Sequence, residues 1–542
     1  MKKIQIFLMS AVAICSLGFA SCVKDLDVEP IDPNVTLPED VLDSEEAYTK
    51  LLAKCYTGLC ASGGFGKDGG CDLSGIDGGF SQYIRLLFVM QCLTTDEATC
   101  CWNDAGLPDM HALSWNSSNS FVNGAYYRFY TQIGYCNEFI RKANDSSLSA
   151  EEFPSKARLI AEARALRALT YYHVIDLFGN ASFVTENSVV GANPGYSSRA
   201  DLFDYVVEEC EELLAANDLP EAGQAGYARL DKSFVRMVLA KMYLNAEVFV
   251  GKAMYAEAAA LCKQIMADHP LHTTAVNSAN DAYAELFMAD NHQFYGKEII
   301  FLVPQDAVNL TSWGATNYLI YAGCSASNNS PDAYYMDPLE LGISSGWGGL
   351  SLTSNFTEKF DLANDSRAMF HTLFGQSIDD IFSFYTSDPS TLQTGYKSKK
   401  YSNIKSDGTP GASTEGGRVD TDYPMFRSAD AFLMFAECAA RGGADKAEGL
   451  NAINEVRSRA GIAPLTSYVL DDVLDERGRE MFWECCRRTD LIRFNKFTSG
   501  YNWQWKGGVK EGIDVDSYRT LMPIPASELN SNGNLKQNEG YL

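Results

Sequence analysis

Two stretches of this chain set aromatic rings among small polar side chains. One runs from Thr95-Asp96-Glu97 through Cys101-Trp102-Asn103-Asp104 to His111 and Trp115, the other from Trp313, Tyr318 and Tyr321 to Gly346-Trp347-Gly348. A flat ring offers an apolar face with a polarised edge, while amides and carboxylates supply directional hydrogen bonds. A neutral sugar presents the complement, C–H faces rimmed by hydroxyls. Rings and polar groups on loops therefore suit the holding of a saccharide.

Other groupings carry less. Glu476, Glu480 and Glu484 fall on one helical face and alternate with Arg477, Arg487, Asp490 and Arg493. Acids and bases at this spacing form structural ion-pair networks more often than catalytic centres. A glycoside hydrolase needs two carboxyl groups roughly 5 to 10 Å apart across a cleft, and no spacing here selects such a pair. Of six histidines only His269 and His272 lie close together, which makes no metal site. No GxSxG elbow is present. Gly63 to Gly79 holds eight glycines and three aspartates and has to be a loop. Without a preceding strand or a following Lys-Ser or Lys-Thr it is a poor phosphate cradle. Asp68, Asp72 and Asp77 form a calcium candidate that lacks the EF-hand glutamate. No cofactor and no metal are expected.

The elements that must position the rings follow from the whole chain. Its 542 residues, 46% hydrophobic, bury a large core, and a formal charge of -26 argues against a nucleic-acid partner. Lys2 and Lys3 precede an apolar run from Ile4 to Phe19 that ends in small residues before Cys22, so residues 1–21 read as a signal peptide. The placement of Cys22 resembles a bacterial lipoprotein cleavage box, in which that cysteine is lipidated. Acyl carbons worth about 0.8 kcal/mol each would then hold the protein on a membrane. Residues 22–40 are an acidic, Pro-punctuated tether. Lys24, Asp25, Asp27 and Glu29 resemble a leader that moves some outer-membrane lipoproteins to the cell surface. Of fifteen cysteines, Cys15 leaves with the signal and Cys22 carries lipid, so the remainder is odd and cannot all pair. A Cys55–Cys60 disulfide stays open, and most of the others read as small buried apolar residues.

Helical spacing recurs at Ser44 to Cys60, Phe121 to Lys142, Lys156 to Gly179, Arg199 to Ala215, Lys232 to Phe249 and Tyr255 to Ala267. It resumes at Ser428 to Arg441, Ala447 to Ala460 and Leu470 to Trp483. Lys156 to Gly179 is the organising helix: its alanines let neighbours approach on two sides, Arg158, Glu162, Arg164 and Arg167 line the remaining surface, and Gly179 stops it. Ala246, Ala258 and Pro270 sit at offsets of a tetratricopeptide unit of about 34 residues. Between Glu298 and Thr421 periodicity fades into short strand-like pieces. The expected layout is one domain over 41–542, with a helical scaffold at 41–297 and 422–542 and a loop-rich insertion at 298–421.

Together these pieces resemble the SusD/RagB family of surface lipoproteins. The resemblance is carried by Cys22 with Leu26-Asp27, by Ala163-Arg164-Ala165-Leu166-Arg167-Ala168 with Tyr172 and Asp176-Leu177-Phe178-Gly179, and by Leu239 to Glu247. Arg427 to Glu437, Ile453 to Arg459, Glu476-Arg477, Asp490-Leu491-Ile492-Arg493, Pro523-Ile524-Pro525 and Gln537 to Tyr541 complete it. It implies an all-α scaffold of tetratricopeptide-like helix pairs with a loop-rich ligand-binding region and no catalytic activity. It also implies a glycan ligand, an outer-membrane location and a SusC-like TonB-dependent transporter as partner. By order and spacing against the family's starch binder, Arg85, Trp102, Tyr321 and Trp347 are the ligand-binding candidates, with Asn103 and Asp104 as polar partners. Cys100 departs from that pattern, since the starch binder has another tryptophan there, which argues against starch itself. The same scaffold holding peptides or another nutrient, or serving mainly as a transporter lid, is the alternative.

Overall fold

A computed structural model describes residues 41–63, 70–310, 312–324, 336–371, 396–413 and 417–541. The signal segment, the tether with Cys22, and Asp68 lie outside these residues. Among the described residues seven longer helices build the first half: α1 (Glu45–Thr57), α2 (Tyr83–Gln91), α3 (Ser120–Asn144), α4 (Lys156–Phe178), α5 (Arg199–Ala215), α6 (Lys232–Leu244) and α7 (Tyr255–Asp268). Ser44 caps α1 through Ala47 N–H, Asn119 caps α3, and Ser198 with Asp201 forms a capping box on α5, each satisfying amides that a helix start leaves open.

The central helix α4 is buried nearly all round from Leu159 onward, packed by α3, α5, α1 and α6. Glu162 and Arg167, expected on its remaining surface, are instead buried. Glu162 accepts from Arg229 Nε at 2.6 Å and from the Tyr56 hydroxyl at 2.5 Å, and Arg167 reaches Asn137 at 2.7 Å and Glu209 at 3.2 Å. Gly179 ends the helix at φ +69°, where a Cβ would stand 3.0 Å from Leu521 Cδ1. Lys232 to Phe249 is not one helix. Asn245 turns its amide back onto Lys241 O at 2.8 Å and accepts from Arg493 at 2.9 Å, which breaks the run before a short helix at Ala246–Val250.

Five further helices matter here: α8 (Ala315–Gly323), α9 (Ser428–Ala440), α10 (Lys446–Arg459), α11 (Leu470–Met481) and α12 (Arg487–Arg493). Each of α3 to α7 packs on the next, α7 packs on α9, and α9 packs on α10 and α11. The stack of helix pairs thus passes from Asp268 to Ser428 as if the residues between were absent, the arrangement of a helical-repeat scaffold. Among the described residues the strands are short and pair two by two; four of them, in two ribbons, matter here: β1 (Thr99–Cys100), β2 (Ile299–Val303), β3 (Leu350–Ser351) and β4 (Tyr423–Arg427). Antiparallel pairing of β2 with β4, Ile299 opposite Arg427 and Val303 opposite Tyr423, draws the two ends of the intervening segment together.

Ion pairs lock that junction. Arg427 reaches Glu298 at 2.8 Å, Glu480 at 3.0 Å and Glu484 at 2.8 Å; Arg367 reaches Asp365 at 2.8 Å and Glu476 at 2.7 Å. Arg477 bridges Asp430 and Asp490, each at 2.8 Å, and Arg493 joins Glu437 to Asp490. Burial pushes the Glu480 carboxyl up, but Arg459, Arg427 and Arg367 together hold it well below the usual range. Glu476, Glu480 and Glu484 do not share one helix, because α11 ends at Met481 and the chain turns through Trp483 at φ +60° before Glu484. Cys55 and Cys60 are both free and buried.

Candidate functional site

The rings are mounted on α8. Its sequence, Ala315 to Gly323, is buried on every side, so it has no apolar stripe and periodicity hides it. Tyr318 and Tyr321 stand one turn apart, about 4.5 Å along the axis. Each backs one tryptophan: Tyr318 lies 6.0 Å from Trp102 at 55°, and Tyr321 lies 5.1 Å from Trp347 at 32°. Trp313, just before α8, meets Trp347 edge-on at 5.5 Å.

The backbone stitches the two tryptophan loops together. Trp347 N–H donates to the Tyr321 carbonyl at 2.7 Å, filling one of the acceptors that the end of α8 leaves open. Cys101 N–H donates to Gly349 O at 3.0 Å, extending the β1–β3 ladder in which Thr99 faces Ser351 and Cys100 faces Leu350. Two glycines make room for the rings. At Gly349, φ +108°, a Cβ would stand 2.5 Å from Trp102 Cε2; at Gly417, φ +91°, it would stand 2.6 Å from Trp347 Cζ2.

Trp102, Trp313 and Trp347 are each half-buried, with part of the ring left in water. The indole N–H groups of Trp102 and Trp347 meet no acceptor among the described residues. Asn103 and Asp104 are exposed beside Trp102, with side chains likewise uncommitted. Tyr321 is 2% exposed and bonds Ser413 Oγ at 3.0 Å, so it acts on the surface only through Trp347.

Arg85 is 5% exposed and sits behind the shelf. Its guanidinium lies 4.2 Å from the centres of the Phe80 and Tyr318 rings and 5.6 Å from that of Trp102. Nη1 donates to Gly79 O at 2.6 Å and to Trp313 O at 3.0 Å. Among the described residues no carboxylate pairs with it, and burial pushes it down to about 10. A cation boxed by three rings and two carbonyls positions the tryptophans and does not itself face a ligand.

The rest of the first stretch is core. Trp115 is sealed, donating its indole N–H to the Tyr541 hydroxyl at 2.8 Å, and His111 is buried. Asp96 is held by Arg487 and by the Tyr501 hydroxyl at 2.7 Å, while burial pushes the Glu97 carboxyl up to about 8. Asp72 is taken by Arg128 at 2.7 Å and by Tyr135, and Asp77 caps its own turn through Gly79 N–H. No grouping able to hold a metal ion occurs among the described residues. Phe80, Gly349 and Gly417 were missed as shelf residues; the one legible signal was the Gly348-Gly349 doublet after Trp347.

Stacked helix pairs thus carry an aromatic shelf in which Trp102, from the loop after β1, meets Trp313 and Trp347 of the inserted segment across α8. Known proteins share this scaffold. The SusD_RagB model, described as the SusD family, matches residues 382–541. The chain is 31% identical to the starch-binding protein SusD of Bacteroides thetaiotaomicron over 584 aligned residues, covering 99% of this chain and 98% of that protein. It is 23% identical to a SusD-like protein of Bacteroides ovatus, covering 73% of this chain and 70% of that one. Among solved structures, surface glycan-binding protein A of Bacteroides thetaiotaomicron in complex with laminarihexaose superposes with a TM-score of 0.67 at 19% identity, over 91% of this chain and 99% of that chain. A SusD superfamily protein of Parabacteroides distasonis gives 0.67 at 21% identity, over 92% and 99%. This chain belongs to the SusD family, and its helix-pair scaffold is that of the family's known structures.

Proposed function

We propose that this protein captures oligo- or polysaccharide on the shelf of Trp102 and Trp347 and passes it to a SusC-like TonB-dependent transporter in the outer membrane, without cleaving it. The observation that carries the reading is the pair of half-exposed tryptophans fixed from behind by Tyr318 and Tyr321, with their indole N–H groups, Asn103 and Asp104 unspent. A ring already held in place stacks on a sugar face with little further loss of freedom. Ring contacts contribute about 0.5 to 1.5 kcal/mol each, so affinity is modest, and tethering at the cell surface through lipidated Cys22 raises the effective concentration. The names of the relatives, starch-binding and glycan-binding, support a saccharide ligand. Consumption of Glu476, Glu480 and Glu484 in internal ion pairs supports a non-catalytic role.

The test is affinity electrophoresis against a panel of polysaccharides. At least one should retard the parent protein, and Trp102→Ala and Trp347→Ala should migrate faster in that gel with no release of reducing ends. Equal retardation of parent and both variants would sink the shelf as the binding site. Palmitate labelling of the expressed chain, lost in Cys22→Ala, checks the anchor, and co-purification checks the transporter.

A further inference from the structure

Tyr227 lies in the loop between α5 and α6 and, at 52% exposure, is the one tyrosine, tryptophan or phenylalanine among the described residues that is exposed. An exposed tyrosine ordinarily samples several rotamers, but this one is fixed. Its hydroxyl donates to Asp422 Oδ2 at 2.7 Å, and Asp422 is buried and receives the Gln305 N–H at 2.7 Å. His292 and Tyr295 meet the ring edge-on at 6.0 and 6.4 Å, and the Tyr295 hydroxyl is tied to the carbonyl of Arg229. Ala228, next in the chain, holds a left-handed φ of +57°, a conformation that persists in a non-glycine residue only where its surroundings impose it. Exposed His292 and half-buried Gln293 make no side-chain hydrogen bond to the described residues. A ring held in place beside free hydrogen-bonding groups is the combination that Trp102 forms with Asn103 and Asp104.

One short run of chain joins the two places. Gly417 lies against Trp347 and Trp313, and Asp422, a few residues on, holds Tyr227. Between them the Val419 N–H donates to Asn317 Oδ1 at 2.6 Å and the Thr421 carbonyl accepts from Thr316, both on α8. That run spans at most about 17 Å. The points of attachment of the two rings, Gly417 and Asp422, are thus no farther apart than an extended polysaccharide is long.

We propose that Tyr227, with His292 and Gln293, is a second contact for the same ligand, so that the protein selects extended polysaccharide over short oligosaccharide. This rests on the saccharide reading of the tryptophan shelf.

Calorimetric titration of one polysaccharide that binds the parent, and of its short oligosaccharide fragments, tests the proposal. Tyr227→Ala should weaken polysaccharide binding by about two- to tenfold and leave fragment binding unchanged, whereas Trp347→Ala should weaken both. Tyr227→Phe, which keeps the ring but loses its tie to Asp422, should fall between parent and Tyr227→Ala. Unchanged polysaccharide affinity in Tyr227→Ala, with Trp347→Ala weakened, overturns the second contact and leaves the shelf standing. No change in either variant overturns the shelf reading and this inference with it. Equal weakening of fragment and polymer by Tyr227→Ala, with a lowered melting temperature, assigns the residue a structural role and also overturns the inference.

Discussion

Replacing Gly349 by alanine should disarm the shelf without removing a ring. The new Cβ would stand 2.5 Å from Trp102 Cε2 and nearer still to Nε1, whereas carbon atoms settle about 3.5 to 4.0 Å apart. Trp102 must therefore swing by roughly 1 to 1.5 Å, off its support on Tyr318 and out of line with Trp347. The backbone at φ +108° adds strain of about 1 to 3 kcal/mol for any residue with a side chain. Loss of one ring contact should weaken the dissociation constant of a polysaccharide ligand about two- to tenfold, read by calorimetry. Chemical denaturation should show a stability loss of about 1 to 3 kcal/mol. Gly408→Ala separates the two effects, since φ is +85° there but nothing lies within 4 Å of the added carbon. It should cost stability and leave binding intact. The reasoning is refuted if Gly349→Ala binds like the parent while Trp102→Ala does not, or if Gly408→Ala weakens binding equally.

Arg85→Met should cost about 3 kcal/mol, because the Gly79 and Trp313 carbonyls lose a charged donor, and should also weaken polysaccharide binding as Trp102 and Trp313 shift; denaturant midpoint and calorimetry read the two effects. Arg427→Met should destabilise by about 3 to 5 kcal/mol, since it leaves Glu298, Glu480 and Glu484 short of a buried cation, yet the folded fraction should bind as before. Burial raises Glu97 to about 8 and Asp422 to about 7. Both carboxyls hold a proton in the folded state that the unfolded chain has already released, so their stabilisation is full below the ordinary carboxylate range and declines as pH rises through 7 to 8. His173, which burial holds down at about 3, is neutral in both states above its ordinary range and drops out. Lys400 and Lys506, which burial holds down at about 8, shed protons in the folded state as pH 8 is approached and offset part of this loss. Stability should therefore fall by about 1 to 2 kcal/mol between pH 6.5 and 8, and Glu97→Gln should flatten most of that slope in thermal melts.

What the sequence determined by itself is local. Apolar and small residues at helical spacing specify the pairs from α3 to α7 and from α9 to α11, because a helix face is written in neighbours three and four positions apart. Ser44 and Gly179 mark helix ends for the same reason, and the alternation of Glu476, Arg477 and Glu480 marks an ion-pair network. The residue types at Trp102, Asn103, Asp104 and Trp347 mark the two loops only as candidates for a saccharide surface.

Tertiary structure decided which rings face water. Trp102 is half-exposed and Trp115 sealed, although both come from one stretch, because Tyr541 closes over Trp115 from the far end of the chain. Arg85 reads as a ligand contact until Trp313, far along the chain, supplies the carbonyl that turns it inward. Helix α8 is apolar on every side and so carries no stripe, yet its one-turn spacing of Tyr318 and Tyr321 sets the two tryptophans side by side. Helices follow from neighbours along the chain, whereas exposure depends on contacts between residues hundreds of positions apart, which no local pattern records.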